Sequence, residues 1–110
     1  MRIPNADAAV VERRKVTGYL LNAAHPDNGG KAAFFAALGF EVASADRLID
    51  ALLTVARGEI TEQAGSPHGD KYVVDGVLSS PSGKRGLIRT VWIVERGKTT
   101  PRLVTAYPRE

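Results

Sequence analysis

His25 and Lys31 flank the loop Pro26-Asp27-Asn28-Gly29-Gly30. An imidazole titrates near neutral pH and can serve as a general acid or base, while a lysine ammonium can neutralise an anion. Asn28-Gly29-Gly30 would either present backbone N–H groups to a phosphate at a helix start or act only as a flexible turn. Counting three, four and seven residues on from Lys31 reaches Phe34, Phe35 and Leu38. On a helix its ammonium would therefore stand on the stripe expected to be buried. A lysine there needs a partner, an anion or a route to solvent. For His25, the alternative to a chemical role is a loop histidine that caps the preceding helix.

A second set of polar groups lies near the C-terminus. Period-two counting puts Leu87, Arg89, Val91 and Ile93 on one face of a strand, and Ile88, Thr90, Trp92 and Val94 on the other. Arg89 interrupts an otherwise apolar face. In the last strand Leu103, Thr105 and Tyr107 alternate with Arg102, Val104 and Ala106, so two hydroxyls share a side. A register that sets Arg89 beside Thr105 or Tyr107 gathers a guanidinium and two hydroxyls on one patch. The bland alternatives are a salt bridge from Arg89 to Asp75 or Glu62, and ordinary strand roles for Thr105 and Tyr107. Trp92, in the most apolar run, reads as core. His68, in a turn, reads as exposed.

Helices come first and strands after, the pattern of an α+β domain with its helices on one side of an antiparallel sheet. The apolar spacing predicts helices over Glu12 to Leu21, Lys31 to Leu38, and from the N-cap Ser44 to Gly58. In the third, Leu48, Ile49, Leu52, Leu53 and Ala56 face a core. Four strands follow, roughly Glu59 to Gly65, Lys71 to Ser79, Gly86 to Glu95 and Arg102 to Tyr107, separated by Gly- and Pro-bearing turns. A meander is the economical topology. The third strand, apolar on both faces, belongs in the middle. One domain over residues 1–110 is expected, with a helical half over about 1–58 and a sheet half over about 59–110.

The chain has no cysteine, which excludes disulfides, thiolate metal sites and a cysteine nucleophile, and it has two histidines far apart in sequence. No metal and no cofactor are expected. No Walker-type or dinucleotide fingerprint is present. The N-terminus lacks the apolar run of a signal peptide, and no stretch is long and apolar enough to span a membrane. A soluble, cytoplasmic protein is expected. Residues 81–110 carry seven Lys/Arg against Glu95 and Glu110, a balance of +5 within a net charge of +3. A basic C-terminal third suits a polyanion-binding surface, or serves solubility and guards strand edges.

Several segments together carry a resemblance: Ile3-Pro4-Asn5-Ala6, Tyr19-Leu20-Leu21-Asn22, His25-Pro26 with Lys31-Ala32 and Phe34-Phe35, Leu38-Gly39-Phe40, Arg89-Thr90-Val91-Trp92 and Leu103-Val104-Thr105-Ala106-Tyr107-Pro108. The chain resembles a bacterial domain family of unknown function, itself similar to the barnase, EndoU, colicin and RelE group of small nuclease folds. That resemblance implies N-terminal helices on a four-stranded antiparallel sheet, and a pocket formed by His25, Lys31, Arg89 and Thr105, with Tyr107 as a further member. It implies metal-independent RNA cleavage of a toxin-like kind, with RNA, tRNA or another, as substrate and a protein inhibitor as a possible partner. The same fold would also serve a non-catalytic nucleic-acid- or protein-binding module.

Overall fold

In the computed structural model, which describes residues 1–109, the expected order of helices then strands holds. After a 3₁₀ turn at Ala6–Ala8, α1 begins as Arg13–Lys15 and opens into a π-helical turn at Val16–Leu20. α2 is Lys31–Ala37; a 3₁₀ turn at Val42–Ser44 leads into α3, Ala45–Ala56. β1 (Ile60–Ser66), β2 (Gly69–Ser79), β3 (Arg85–Glu95) and β4 (Arg102–Pro108) form one antiparallel sheet in sequence order. β3 is flanked by β2 and β4, as its two-faced apolarity predicts.

The first helix departs from expectation. It stops at Leu20, and the Leu21 N–H bonds the Val16 carbonyl five residues back. Gly18, with no side chain to pack, and the β-branched pair Val16 and Thr17 favour a regular helix weakly, and the turn widens where it meets β4. Ala23, just beyond that turn, lies outside the helix and is exposed. α3 has the expected span, but its buried stripe is Ala45, Leu48, Leu52, Val55 and Ala56, with Ile49 and Leu53 at its margin. The sheet face it covers sits nearest Val55, whose methyls lie against Gly76 of β2.

The core fills the space between helices and sheet, with Phe35, Leu48, Leu52, Val74, Ile88, Trp92 and Leu103 all excluded from solvent. Trp92 is core, as its setting suggested. Its Nε1–H donates to Thr90 Oγ1 at 2.7 Å, and that hydroxyl donates to the Val74 carbonyl at 2.7 Å. A buried indole thus spends its single polar atom inside the sheet.

β4 does not alternate as simple counting requires. Val91 pairs with Thr105 but Trp92 pairs with Leu103, so Val104 is the extra residue of a β-bulge. Leu103 therefore turns into the core with Ala106, while Thr105 and Tyr107 remain together on the other side, half-buried. The start of the same strand is covered by the N-terminal segment, where Val10 accepts from the Leu103 N–H and donates to the Pro101 carbonyl. Replacing Thr90 by Val keeps the shape but strands the indole N–H. Urea unfolding of Thr90→Val is expected to show a loss of about 1–3 kcal/mol.

Candidate functional site

The loop between α1 and α2 is organised by one buried side chain. Asn28, only 3% exposed, donates from Nδ2 to the carbonyls of Tyr19 (2.6 Å) and Leu20 (3.3 Å), and its Oδ1 accepts the Ala32 N–H at 2.9 Å. It thereby bonds two carbonyls at the end of α1, that of Tyr19 alongside the Asn22 N–H, and satisfies an orphan N–H at the start of α2. Gly29 and Gly30 follow with φ of 60° and 87°, the left-handed region that glycine enters without penalty. Their role is to reverse the chain so that α2 starts beside the end of α1.

That reversal brings Lys31 back over the loop. Its Nζ donates to the carbonyls of Asn28 (3.1 Å) and Asp27 (3.4 Å) and lies 5.5 Å from the centre of the Tyr19 ring. The half-buried lysine thus has carbonyls and a π face as partners. Among the described residues no carboxylate lies within ion-pair distance of it. The same is true of Lys15, whose Nζ donates to the carbonyl of the bulge residue Val104 at 3.0 Å. Tyr19 completes the wall: its hydroxyl hydrogen-bonds Thr105 Oγ1 at 3.2 Å, and its ring meets that of His25 edge-on at 5.0 Å.

These residues line an open cleft of about 520 Å³ between the α1–α2 loop and β4. His25, Lys31, Thr105 and Tyr107 all face it, so four of the five residues singled out in the sequence converge. His25 does not cap α1, a task Asn28 performs. Its Nδ1 accepts the Asp27 N–H at 3.0 Å, which leaves the proton of the neutral ring on Nε2. Asp27 supplies the one carboxylate of the lining. Lys15 and Tyr19 are site residues that sequence reasoning missed. The available signal was their spacing of four on the first helix, which sets an ammonium and a phenol on one face.

Arg89 is placed differently. It pairs across the sheet with both Asp75 and Tyr107, but it does not line the cleft. Its Nε and Nη2 grip the two Asp75 oxygens at 2.8 and 3.0 Å, and its Nη1 lies 3.5 Å from Glu62. The salt-bridge alternative describes its contacts. The Asp75 hydrogen bonds above all, with Tyr107 and Glu62 adding to them, hold the guanidinium in its charged form despite partial burial. In return the Arg89 hydrogen bonds, aided by the nearby charges of Arg89 and Arg109, hold the Asp75 carboxyl below the usual range. Arg109 Nε is 2.7 Å from the same carboxylate. Arg89 is therefore a neutralised anchor behind Tyr107.

Helices on one face of a four-stranded antiparallel meander, with a cationic cleft at the edge strand, define an α+β domain, the fold class expected from sequence. The family model for a domain of unknown function, DUF6883, matches residues 2–110, and the chain belongs to that family. No curated protein matches it in sequence. Among solved structures, a chain of the contact-dependent growth inhibition toxin–immunity protein complex from Klebsiella pneumoniae 342 shares the fold. Its TM-score is 0.75 at 17% identity, over 96% of this chain and 97% of that one. No helix among the described residues is long and apolar enough to cross a membrane.

Two outcomes test this geometry. Asn28→Ala leaves helix-end groups unpaired and is expected to cost about 1–3 kcal/mol in denaturant unfolding, with the amides of residues 19–32 losing protection from hydrogen exchange. The lowered Asp75 pKa stabilises the fold above the unfolded-state value of about 3.9, and that gain is lost as pH falls through the folded value. The stability difference between the native protein and Asp75→Asn is therefore expected to be largest at neutral pH and to shrink in acid.

Proposed function

We propose that the cleft is the active site of a toxin-like, metal-independent endoribonuclease. The observation that carries this reading is the convergence of two ammonium groups without carboxylate partners, Lys15 and Lys31, with His25, Thr105 and Tyr107 around one open hollow. Such a set suits a phosphodiester: cations for its charge, hydroxyls for its oxygens, an imidazole for its protons. Among the described residues no three His, Asp or Glu side chains are grouped to hold a metal ion. The likeness in fold to a chain of a toxin–immunity complex supports the toxin-like part of the reading.

In the proposed reaction the ribose 2′-oxygen attacks phosphorus and loses its proton, the bond from phosphorus to the 5′-oxygen breaks, and that oxygen takes up a proton. The products are a cyclic phosphate and a 5′-hydroxyl. Lys31 and Lys15 stabilise the charge that builds on the phosphorane, and Thr105 or Tyr107 orients a phosphate oxygen. Arg89 acts through Tyr107, its cross-strand partner. His25 is the proton-transfer group, and to protonate the 5′-oxygen it acts as an imidazolium. Full proton transfer from an imidazolium needs Nδ1 protonated, with loss of the Asp27 N–H bond. The second proton-transfer group falls to a lysine or to Tyr107.

That Asp27 bond also favours a second reading, in which the cleft binds a nucleic acid or protein partner without cleaving anything. Incubation of the purified protein with total RNA separates the two. Cleavage is expected to persist in chelator and to fall by about 10²-fold or more in both His25→Ala and Lys31→Ala. Unchanged cleavage in both variants would place the chemistry elsewhere. Retention of RNA with no product selects the binding reading.

A further inference from the structure

A second hollow, of about 390 Å³, adjoins the cleft on the face of the sheet away from α3. Lys15, Ser66, His68, Lys71, Ile93 and Arg102 are the side chains that give it its character. Lys15 and Val104 line both hollows, so the two share a wall. That wall is the β4 bulge: Val104 is its unpaired residue, and its carbonyl holds the Lys15 ammonium. The ammonium spends one of its three protons there and keeps two.

The second hollow has no acidic residue in its lining. Arg102 is already engaged, with Glu95 at 3.2 Å and Glu12 at 3.5 Å. Lys71 has no carboxylate within ion-pair distance among the described residues, and both it and His68 are exposed. Ile93, 8% exposed, and Ala64 supply an apolar floor. A floor that accepts a flat ring, rimmed by unpaired cations, matches a nucleotide: a base against carbon and a phosphate on nitrogen.

We propose that this second hollow is a strand-binding subsite, and that the ligand is a single-stranded polynucleotide running from the cleft, across the Val104 bulge, onto the outer face of β3, β2 and β1. Lys15 sits between the two hollows and touches the backbone from both. The choice of RNA as the strand rests on the nuclease reading; the continuity of the two hollows does not. The consequence is a length requirement. A dinucleotide occupies the cleft alone, whereas a longer strand also meets Lys71 and His68.

Binding of uncleavable 2′-O-methyl oligouridylates of two and eight nucleotides, followed by fluorescence anisotropy across a salt series, tests this. The native protein is expected to bind the octamer about tenfold more tightly than the dimer at low salt. Lys71→Ala is expected to shrink that ratio and to lower the octamer's salt slope by about 0.7, and His68→Ala to shrink the ratio less. Equal affinity for the two lengths would overturn the proposal, as would an octamer affinity indifferent to Lys71→Ala. Competition by poly-glutamate as effective as by the octamer would overturn it in favour of an acidic protein partner. Length dependence without cleavage of intact RNA would sink the nuclease reading and leave the subsite standing; cleavage without length dependence would do the reverse.

Discussion

A single amide side chain, that of Asn28, ties the helical half together where it meets the sheet. Three hydrogen bonds leave it, two to the carbonyls that end α1 and one from the first turn of α2. Its own backbone carbonyl accepts both the Lys31 N–H and the Lys31 ammonium. Burial strengthens each of these bonds and makes each one costly to lose. His25 and Lys31 lie three residues to either side of Asn28, and Tyr19 is held by its own carbonyl to that amide, so their mutual positions follow from where it holds the two helix ends.

Tyr19 then carries the order of the loop across to the sheet. One ring serves three neighbours: its hydroxyl meets Thr105, its edge or face meets His25, and its π cloud lies under Lys31. On the far side Tyr107 is backed by the Arg89–Asp75 pair. The cations in and around the cleft thus differ in kind. Arg89 and Arg109, outside its lining, share the Asp75 carboxylate, with Glu62 beside Arg89, and hold structure. Lys15 and Lys31 are bound to carbonyls, which orient an ammonium without cancelling its charge.

Much of this was legible in residue order. Turn residues at regular intervals delimit the four strands to within one or two positions, and the doubly apolar run 87–94 reads as an inner strand. The meeting of His25 with Lys31 follows from the short loop between them. What counting missed came from local backbone irregularity. A π turn shortened the first helix, and the Val104 bulge moved Leu103 to the opposite side from Thr105. Both break the periodicity on which such reading depends. Lys15 entered the site through the backbone carbonyl of the bulge residue Val104, a contact that residue spacing does not disclose. Arg89 showed the opposite ambiguity, since a guanidinium on an apolar strand face fits an anion site and an ion pair equally well, and cross-strand register chose Asp75.

The hydrogen bond between Tyr19 and Thr105 joins residues 86 positions apart. Neither wall of the cleft means anything without the other, because the helical wall has no Thr105 to brace its tyrosine and the strand has no lysines. β4 is the last strand of the meander and docks on β3, which must itself be in place. A ribosome making this chain therefore releases helices and three strands before any cleft exists. The cationic hollow forms only once Arg102–Pro108 has been made, and a chain interrupted before that strand has no cleft at all.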